Sequence, residues 1–134
     1  MEHYFVDTDV IIDFLGNRKP FSKNASSLFL QAQNKEVKLY TSSNSITTAY
    51  YILCKSLEEA KVRSLIPLFL KYIQVIPVSE KNLVDASNNS DIKDFEDAVQ
   101  HSCALNESKI SCIITRNLKD YKKSKLKVRS SAEF

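Results

Sequence analysis

Tyr4-Phe5-Val6-Asp7-Thr8-Asp9, continuing as Val10-Ile11-Ile12-Asp13-Phe14-Leu15, opens the chain with an apolar run that stops at a carboxylate. Tyr4 to Val6 is short, apolar and without alternation, the pattern of a buried strand. Val10, Ile11, Ile12, Phe14 and Leu15 are too dense for a strand exposed on one face and predict a short buried helix. Asp7 lies at the junction. A carboxylate directly after a buried strand has little reason to be there except as a ligand or as part of a polar network.

Working outward, the same alternation of short apolar runs and helical periodicity recurs. Residues 17–20 break the pattern, and residues 21–33 are helical, with Ala25, Leu28, Phe29 and Ala32 on one face. Val37 to Tyr40 reads as a second strand, and Ser42, Ser43 or Asn44 caps a helix carrying Ile46, Ala49, Tyr50 and Leu53. A further helix over residues 57–72 contains Pro67, which ends or kinks it. With Tyr50 and Tyr51 this segment is assigned to core packing, a dimer or partner surface being the alternative. Residues 73–78 form a strand that Pro77 places at an end or an edge. Residues 80–88 form a short helix. Asp94 caps another, with Phe95, Ala98, Val99, Ser102 and Leu105 on its inner side. Residues 111–115 are the clearest buried strand, followed by a helical turn over 117–121 and a short strand at Lys127-Val128. Strands alternating with helices predict an α/β fold of three layers, α/β/α, in one domain over residues 1–134, with a mainly parallel sheet of about four to five strands. In such sheets the functional crevice lies beyond the carboxyl ends of the strands.

Composition narrows the chemistry. Gly16 is the only glycine among 134 residues. That argues against a dinucleotide fingerprint or a phosphate loop, which need several glycines for backbone to approach phosphate. Cys54, Cys103 and Cys112 form no Cys-x-x-Cys pair, and with only His3 and His101 beside them they make neither a zinc set nor a disulfide framework. They are expected as reduced core residues. The start MEHYFVDTDV lacks the regions of a signal peptide, and no apolar run approaches a membrane span, so a soluble cytoplasmic protein is expected.

Three groups of polar residues converge at the predicted carboxyl edge: Asp7 and Asp9; Asp94, Glu96 and Asp97; Asn117 and Asp120. Converging carboxylates repel one another and raise their own pKa values. A divalent cation relieves that repulsion, and carboxylate oxygens with water suit Mg2+ or Mn2+. Such an ion can also polarise a phosphodiester and orient water for attack. Each acid has a structural reading beside this one. Asp94 suits an N-cap with Asp97 three residues on, Asp9 suits a cap for the first helix, and Asp120 suits a surface pair with Lys119 or Lys123. On a regular helix Asp94 and Asp97 lie roughly 60° apart and Asp94 and Glu96 roughly 200° apart. All three cannot point inward, so Asp97 and then Asp94 are favoured, Glu96 joining only if the helix starts at or after it.

These segments resemble the PIN-domain nucleases. FVDTDVIIDFL is similar to the family's first motif, DFEDAVQHSCAL to its later acidic helix, and IITRNLKDY to the segment that completes the site. The likeness covers nearly the whole chain and leans toward the bacterial subgroup similar to VapC-type toxins. It implies a magnesium- or manganese-dependent endoribonuclease acting on RNA, paired with an antitoxin protein. By motif, Asp7 and Asp97 would be metal ligands, joined by Asp94 and Asp120, with Asn117 in the same site and Thr8, Asp9, Glu96 and Thr115 in support. Many family members carry Glu in the helix after the second strand, where this chain has Thr48. One carboxylate fewer weakens a magnesium site.

From Arg116 to Arg129 there are seven basic residues against one acid, within a net charge of +3. Arg116, Lys119, Lys122 and Lys123 are the expected RNA contacts. The alternative function is a catalytically weak PIN-like module binding RNA or a protein partner, and a homodimer is a further expectation. A phosphatase-like enzyme, with Asp7 as nucleophile and Asp9 as acid/base, would need a Thr/Val-rich loop and a downstream lysine site that the chain does not offer.

Overall fold

The computed structural model describes residues 1–134. Five strands run parallel in one sheet: β1 (Glu2–Val6), β2 (Val37–Ser42), β3 (Gln74–Ile76), β4 (Cys112–Thr115) and β5 (Lys127–Ser130). Their order is β3-β2-β1-β4-β5. The chain winds outward from β1 through β2 to β3, then crosses to the other side of β1 for β4 and β5. The order therefore reverses between β1 and β4, where Tyr4, Phe5 and Val6 are in register with Cys112, Ile113 and Ile114. A parallel sheet opens a crevice at such a reversal, just beyond the strand ends. Asp7 and Thr115 stand there.

Six helices cover the sheet: α1 (Thr8–Leu15), α2 (Ser22–Gln33), α3 (Ser43–Leu53), α4 (Glu59–Phe69), α5 (Glu80–Ser87) and α6 (Phe95–Leu105). Side chains alternate across the strands and so build two cores. Tyr4, Val6, Leu39, Cys112 and Ile114 pack with Val10, Ile11, Leu28, Leu53 and Val62 on one face. Phe5, Tyr40, Ile76 and Ile113 pack with Ala86, Val99 and Cys103 on the other. This is the three-layer α/β/α arrangement, and it explains why the central strands read as continuous apolar runs.

The single glycine is there for space rather than for conformation. A Cβ on Gly16 would come 2.8 Å from the Ile12 carbonyl oxygen and 2.8 Å from Leu53 Cδ2. The left-handed positions after α1 and α2 fall instead to Asn17 (φ 50°) and Lys35 (φ 61°).

Several expectations change. Pro67 lies inside α4, two residues before the helix ends at Phe69, short of the expected residue 72. Core packing of residues 57–72 holds only for one stripe, with Val62 and Phe69 buried while Leu68, Leu70 and Tyr72, like Tyr51, are exposed. In α6 every residue from Ala98 to Ala104 is buried. Phe95 and Leu105, expected inside, are the first and last residues of the helix and are exposed. Short 3₁₀ turns at Leu118–Tyr121 and Ser131–Glu133 complete the chain. Cys103 and Cys112 are buried and unpaired, with burial pushing each thiol up to about 11. No helix is long and apolar enough to cross a membrane.

Candidate active site

An open cleft of about 310 Å³ lies at the carboxyl ends of β1 and β4. Asp7, Thr8, Asp9 and Ile12 line it from α1, Thr48 and Ile52 from α3, Asp94, Glu96, Asp97 and Gln100 from α6, and Asn117 and Asp120 from the turn after β4. Residues from opposite ends of the sequence thus meet at the reversal of strand order. Two larger cavities, one under Met1 and Tyr72 and one beside His101, lie away from this acidic group, and a third, of about 540 Å³, adjoins it at Glu96.

Asp7 is the N-cap of α1 and is 4% exposed. Its Oδ1 accepts from the Thr8 N–H at 2.7 Å and its Oδ2 from the Thr115 hydroxyl at 2.7 Å. The cap expected of Asp9 therefore belongs to Asp7, because the strand hands directly into the helix one residue earlier. Asp9 turns toward β4. Its Oδ2 accepts from the Arg116 N–H at 3.1 Å, while its Oδ1 is buried without a partner. Thr115 also receives the Asn117 N–H at 2.9 Å, which ties the β4 loop to the same carboxylates.

The second acidic group is positioned by the loop before α6. Asn89 Oδ1 accepts from the N–H groups of Asp91 and Ile92, and buried Ile92 anchors the loop. Asp94 is exposed and caps α6, its Oδ1 accepting from the Asp97 N–H at 2.9 Å. Asp97 then takes a 3.3 Å bond from the Tyr121 hydroxyl. The condition set for Glu96 is not met, since α6 starts one residue before it, yet Glu96 lines the cleft. Asp94, as N-cap, has extended backbone (φ −74°, ψ 125°) and so escapes the helical angular rule. Glu96 has the longer side chain and reaches the Thr8 hydroxyl, 3.3 Å away. All three acids line the cleft.

Behind the acids lies a buried polar network that sequence reasoning missed. Gln100 is 1% exposed, and its Oε1 accepts from the Thr8 N–H, the Thr8 hydroxyl and the Ser45 hydroxyl. Its amide nitrogen lies 3.5 Å from the Tyr121 hydroxyl. Gln100 was visible as a polar residue within the otherwise mostly apolar middle of α6, three residues after Asp97. Asp13 was missed as well, though an acid inside the run VIIDFL signals a buried partner. It is fully buried and accepts from Arg116 Nε at 2.6 Å and Nη2 at 3.1 Å. Arg116 also stacks on Phe21, 4.0 Å from the ring centre. Arg116, expected as an RNA contact, has its guanidinium paired with Asp13, and its side chain is 29% exposed. Lys119, Lys122 and Lys123 are exposed. Asp120 is held by the Asn117 side-chain amide rather than by Lys119 or Lys123.

Electrostatics follow from burial and crowding. Burial, then the charge of Asp7, pushes Asp9 up to about 7 against the pull of Arg116. Burial, then the charges of Asp7 and Asp94, pushes Asp97 up to about 8. Burial raises Asp7 and Glu96 too. No three acidic, histidine or cysteine side chains stand together as a finished cation cage. The acids ring the cleft instead. The donors are nevertheless all oxygen, mutually repelling and partly desolvated, and one Asp9 oxygen is buried without a partner. That chemistry fits a hard divalent cation.

The PIN domain family matches residues 3–119. "Ribonuclease VapC1" of Aquifex aeolicus (strain VF5) is 30% identical over 138 residues, covering 99% of this chain and 93% of that protein. Two solved structures share the fold. VapBC2 from Rickettsia felis bound to a promoter DNA fragment has a TM-score of 0.71 at 20% identity, covering 96% of this chain and 98% of that one. A toxin–antitoxin complex from Klebsiella pneumoniae has a TM-score of 0.65 at 20% identity, covering 96% and 97%. This chain, matched nearly end to end, belongs to the PIN-domain family.

Proposed function

We propose that this chain is a magnesium- or manganese-dependent endoribonuclease of VapC type, working as one domain and restrained by an antitoxin protein. The carrying observation is the ring of acids, Asp7, Asp94, Glu96, Asp97 and Asp120, at the reversal of strand order in a chain of this family. The name of the Aquifex relative and the Klebsiella complex support the ribonuclease and its partner. A homodimer is part of the same reading.

Asp7 and Asp97 would be the principal ligands of the cation, with Asp94 and Asp120 nearby. When bound, the ion supplies Lewis-acid polarisation of a phosphoryl oxygen and lowers the pKa of water. Thr115 and the Thr8 N–H hold the Asp7 carboxylate, and Tyr121 holds Asp97. Asn117 holds Asp120. Asp9, pushed up to about 7, is suited to exchange a proton at Oδ1 near neutral pH. The amino terminus of α6 favours the ionised form of Asp97 and tolerates a phosphate. Lys119, Lys122 and Lys123 would track the RNA backbone from the adjoining turn.

The test is incubation of a defined single-stranded RNA with and without Mn2+, beside Asp7→Asn and Asp97→Asn. Cleavage is expected to require Mn2+, to stop in EDTA, and to fall on the order of 10³-fold in either variant. Cleavage without metal, or unchanged rates in both variants, rejects the reading. Salt-sensitive binding without turnover would identify a non-catalytic RNA-binding module instead.

A further inference from the structure

We propose that Glu96 binds the divalent cation from the α3 side of the cleft, with the Thr8 hydroxyl holding its carboxylate in place. This rests on the metal-nuclease reading above and adds to it a ligand that the order of preference drawn from helix geometry had set behind Asp94.

The argument begins with what each wall of the cleft presents. The β1 and α6 walls bring Asp7 and Asp97, and the turn after β4 brings Asp120. Helix α3 brings only Thr48 and Ile52, neither of them charged. Glu96 turns into that side. Its Oε1 lies 3.3 Å from the Thr8 hydroxyl, and Glu96 also borders the neighbouring cavity walled by Ser43, Asn44 and Thr47 of α3. No cation faces it, since the ion pairs of the molecule are Arg63–Glu59, Lys81–Asp85, Arg116–Asp13 and Arg129–Glu133. A half-buried glutamate beside Asp7 and Asp94, partnered only by one hydroxyl, is destabilising unless something positive arrives. Asp94 differs. It is exposed, and its Oδ1 is committed to the Asp97 N–H.

A purely structural role for Glu96 makes the opposite forecast. As the second residue of α6 it would favour the positive end of the helix, and its loss would then lower stability in the absence of metal. The experiment measures Mn2+ binding by calorimetry and metal-free thermal melting for the whole chain. It uses wild type, Asp7→Asn, Glu96→Gln, Asp94→Asn and the double variant Glu96→Gln/Thr48→Glu. Glu96→Gln is expected to weaken Mn2+ binding about tenfold or more while leaving metal-free melting unchanged or higher. Asp94→Asn should weaken binding less. The double variant should regain most of the affinity, because residue 48 lines the same cleft from α3. The proposal is overturned if Glu96→Gln binds Mn2+ as wild type does, or if the double variant binds no better than Glu96→Gln. Wild-type binding that ignores Asp7→Asn removes the metal-nuclease reading itself. Binding lost in Asp7→Asn but kept in Glu96→Gln removes only the role of Glu96.

Discussion

Asp7 and Asp13 lie six residues apart in one segment, both buried, and the fold treats them in opposite ways. Asp13 is closed off by two charge-assisted bonds from Arg116, whose far side is covered by Phe21. Asp7 receives only neutral donors, the Thr8 N–H and the Thr115 hydroxyl, and faces Asp97 across the cleft. Burial therefore does not separate a structural acid from a reactive one. The charge of the partner does: an acid matched by an arginine is finished, and an acid held by neutral donors beside other acids still lacks its counter-charge.

The sharpest way to break this comparison is to remove the arginine. Arg116→Ala leaves the Asp13 carboxylate buried and unpaired and should cost about 3 kcal/mol of stability, measured by urea unfolding. Asp13→Ala should cost less, because the Arg116 side chain is 29% exposed and can turn to water. Asp97→Asn, on the other side of the cleft, should leave metal-free stability unchanged or raise it, since it removes a charge repelled by Asp7 and Asp94. A cost below about 1 kcal/mol for Arg116→Ala, joined with weaker RNA binding, would return that residue to the RNA-contacting set.

A smaller effect comes from pH. Asp9 and Asp97 titrate at about 7 and about 8 in the folded protein, against 3.8 for an ordinary aspartate. Each binds its proton more tightly folded than unfolded. Their contribution to metal-free stability is thus fully present below about pH 4 and is lost as pH rises to 7–8. Melting between pH 5 and 8.5 should show this decline in the wild type and a flatter profile in Asp97→Asn. Mn2+ should bind more tightly toward pH 8 and release protons as it binds. Equal slopes for the two proteins would mean that Asp97 carries no raised pKa.

The strand ends were legible in the sequence because each is an apolar run stopped by a polar residue: Val6 by Asp7, and Ile114 by Thr115 and Arg116. A parallel sheet then places those stops at one edge, so the gathering of Asp7, Asp97 and Asp120 followed from topology. Partner identity was not legible. Nothing in the spacing pairs residue 13 with residue 116, because that contact depends on how α1 packs against the loop after β4. The same is true of Gln100, whose carbonyl collects donors from α1 and α3. Glu96 was misjudged because a helical angle was applied to Asp94, which sits outside the helix. Core packing of residues 57–72 was overread because apolar content does not reveal which side of a peripheral helix meets the sheet.

The basic run after β4 divides by the same rule of partners. Arg116 pairs with Asp13, and Arg129 bonds to Glu133 and to the Tyr4 hydroxyl while lying 4.6 Å from the Phe134 ring centre. Lys122 and Lys123 are exposed and form no ion pair. The arginines have counter-charges within the chain, Asp13 buried and Glu133 at the surface, and these lysines have none, so phosphate binding should fall to the lysines. Lys122→Ala and Lys123→Ala should each leave stability within about 0.5 kcal/mol. Each should also lower the slope of log affinity against log salt for single-stranded RNA by about 0.7. Arg129→Ala should leave that slope alone, because its charge is already answered by Glu133. If the arginine variant changes the slope and the lysine variants do not, the partner rule fails for basic residues, though it could still hold for the acids, whose desolvation makes a missing counter-charge far more costly than on an exposed lysine.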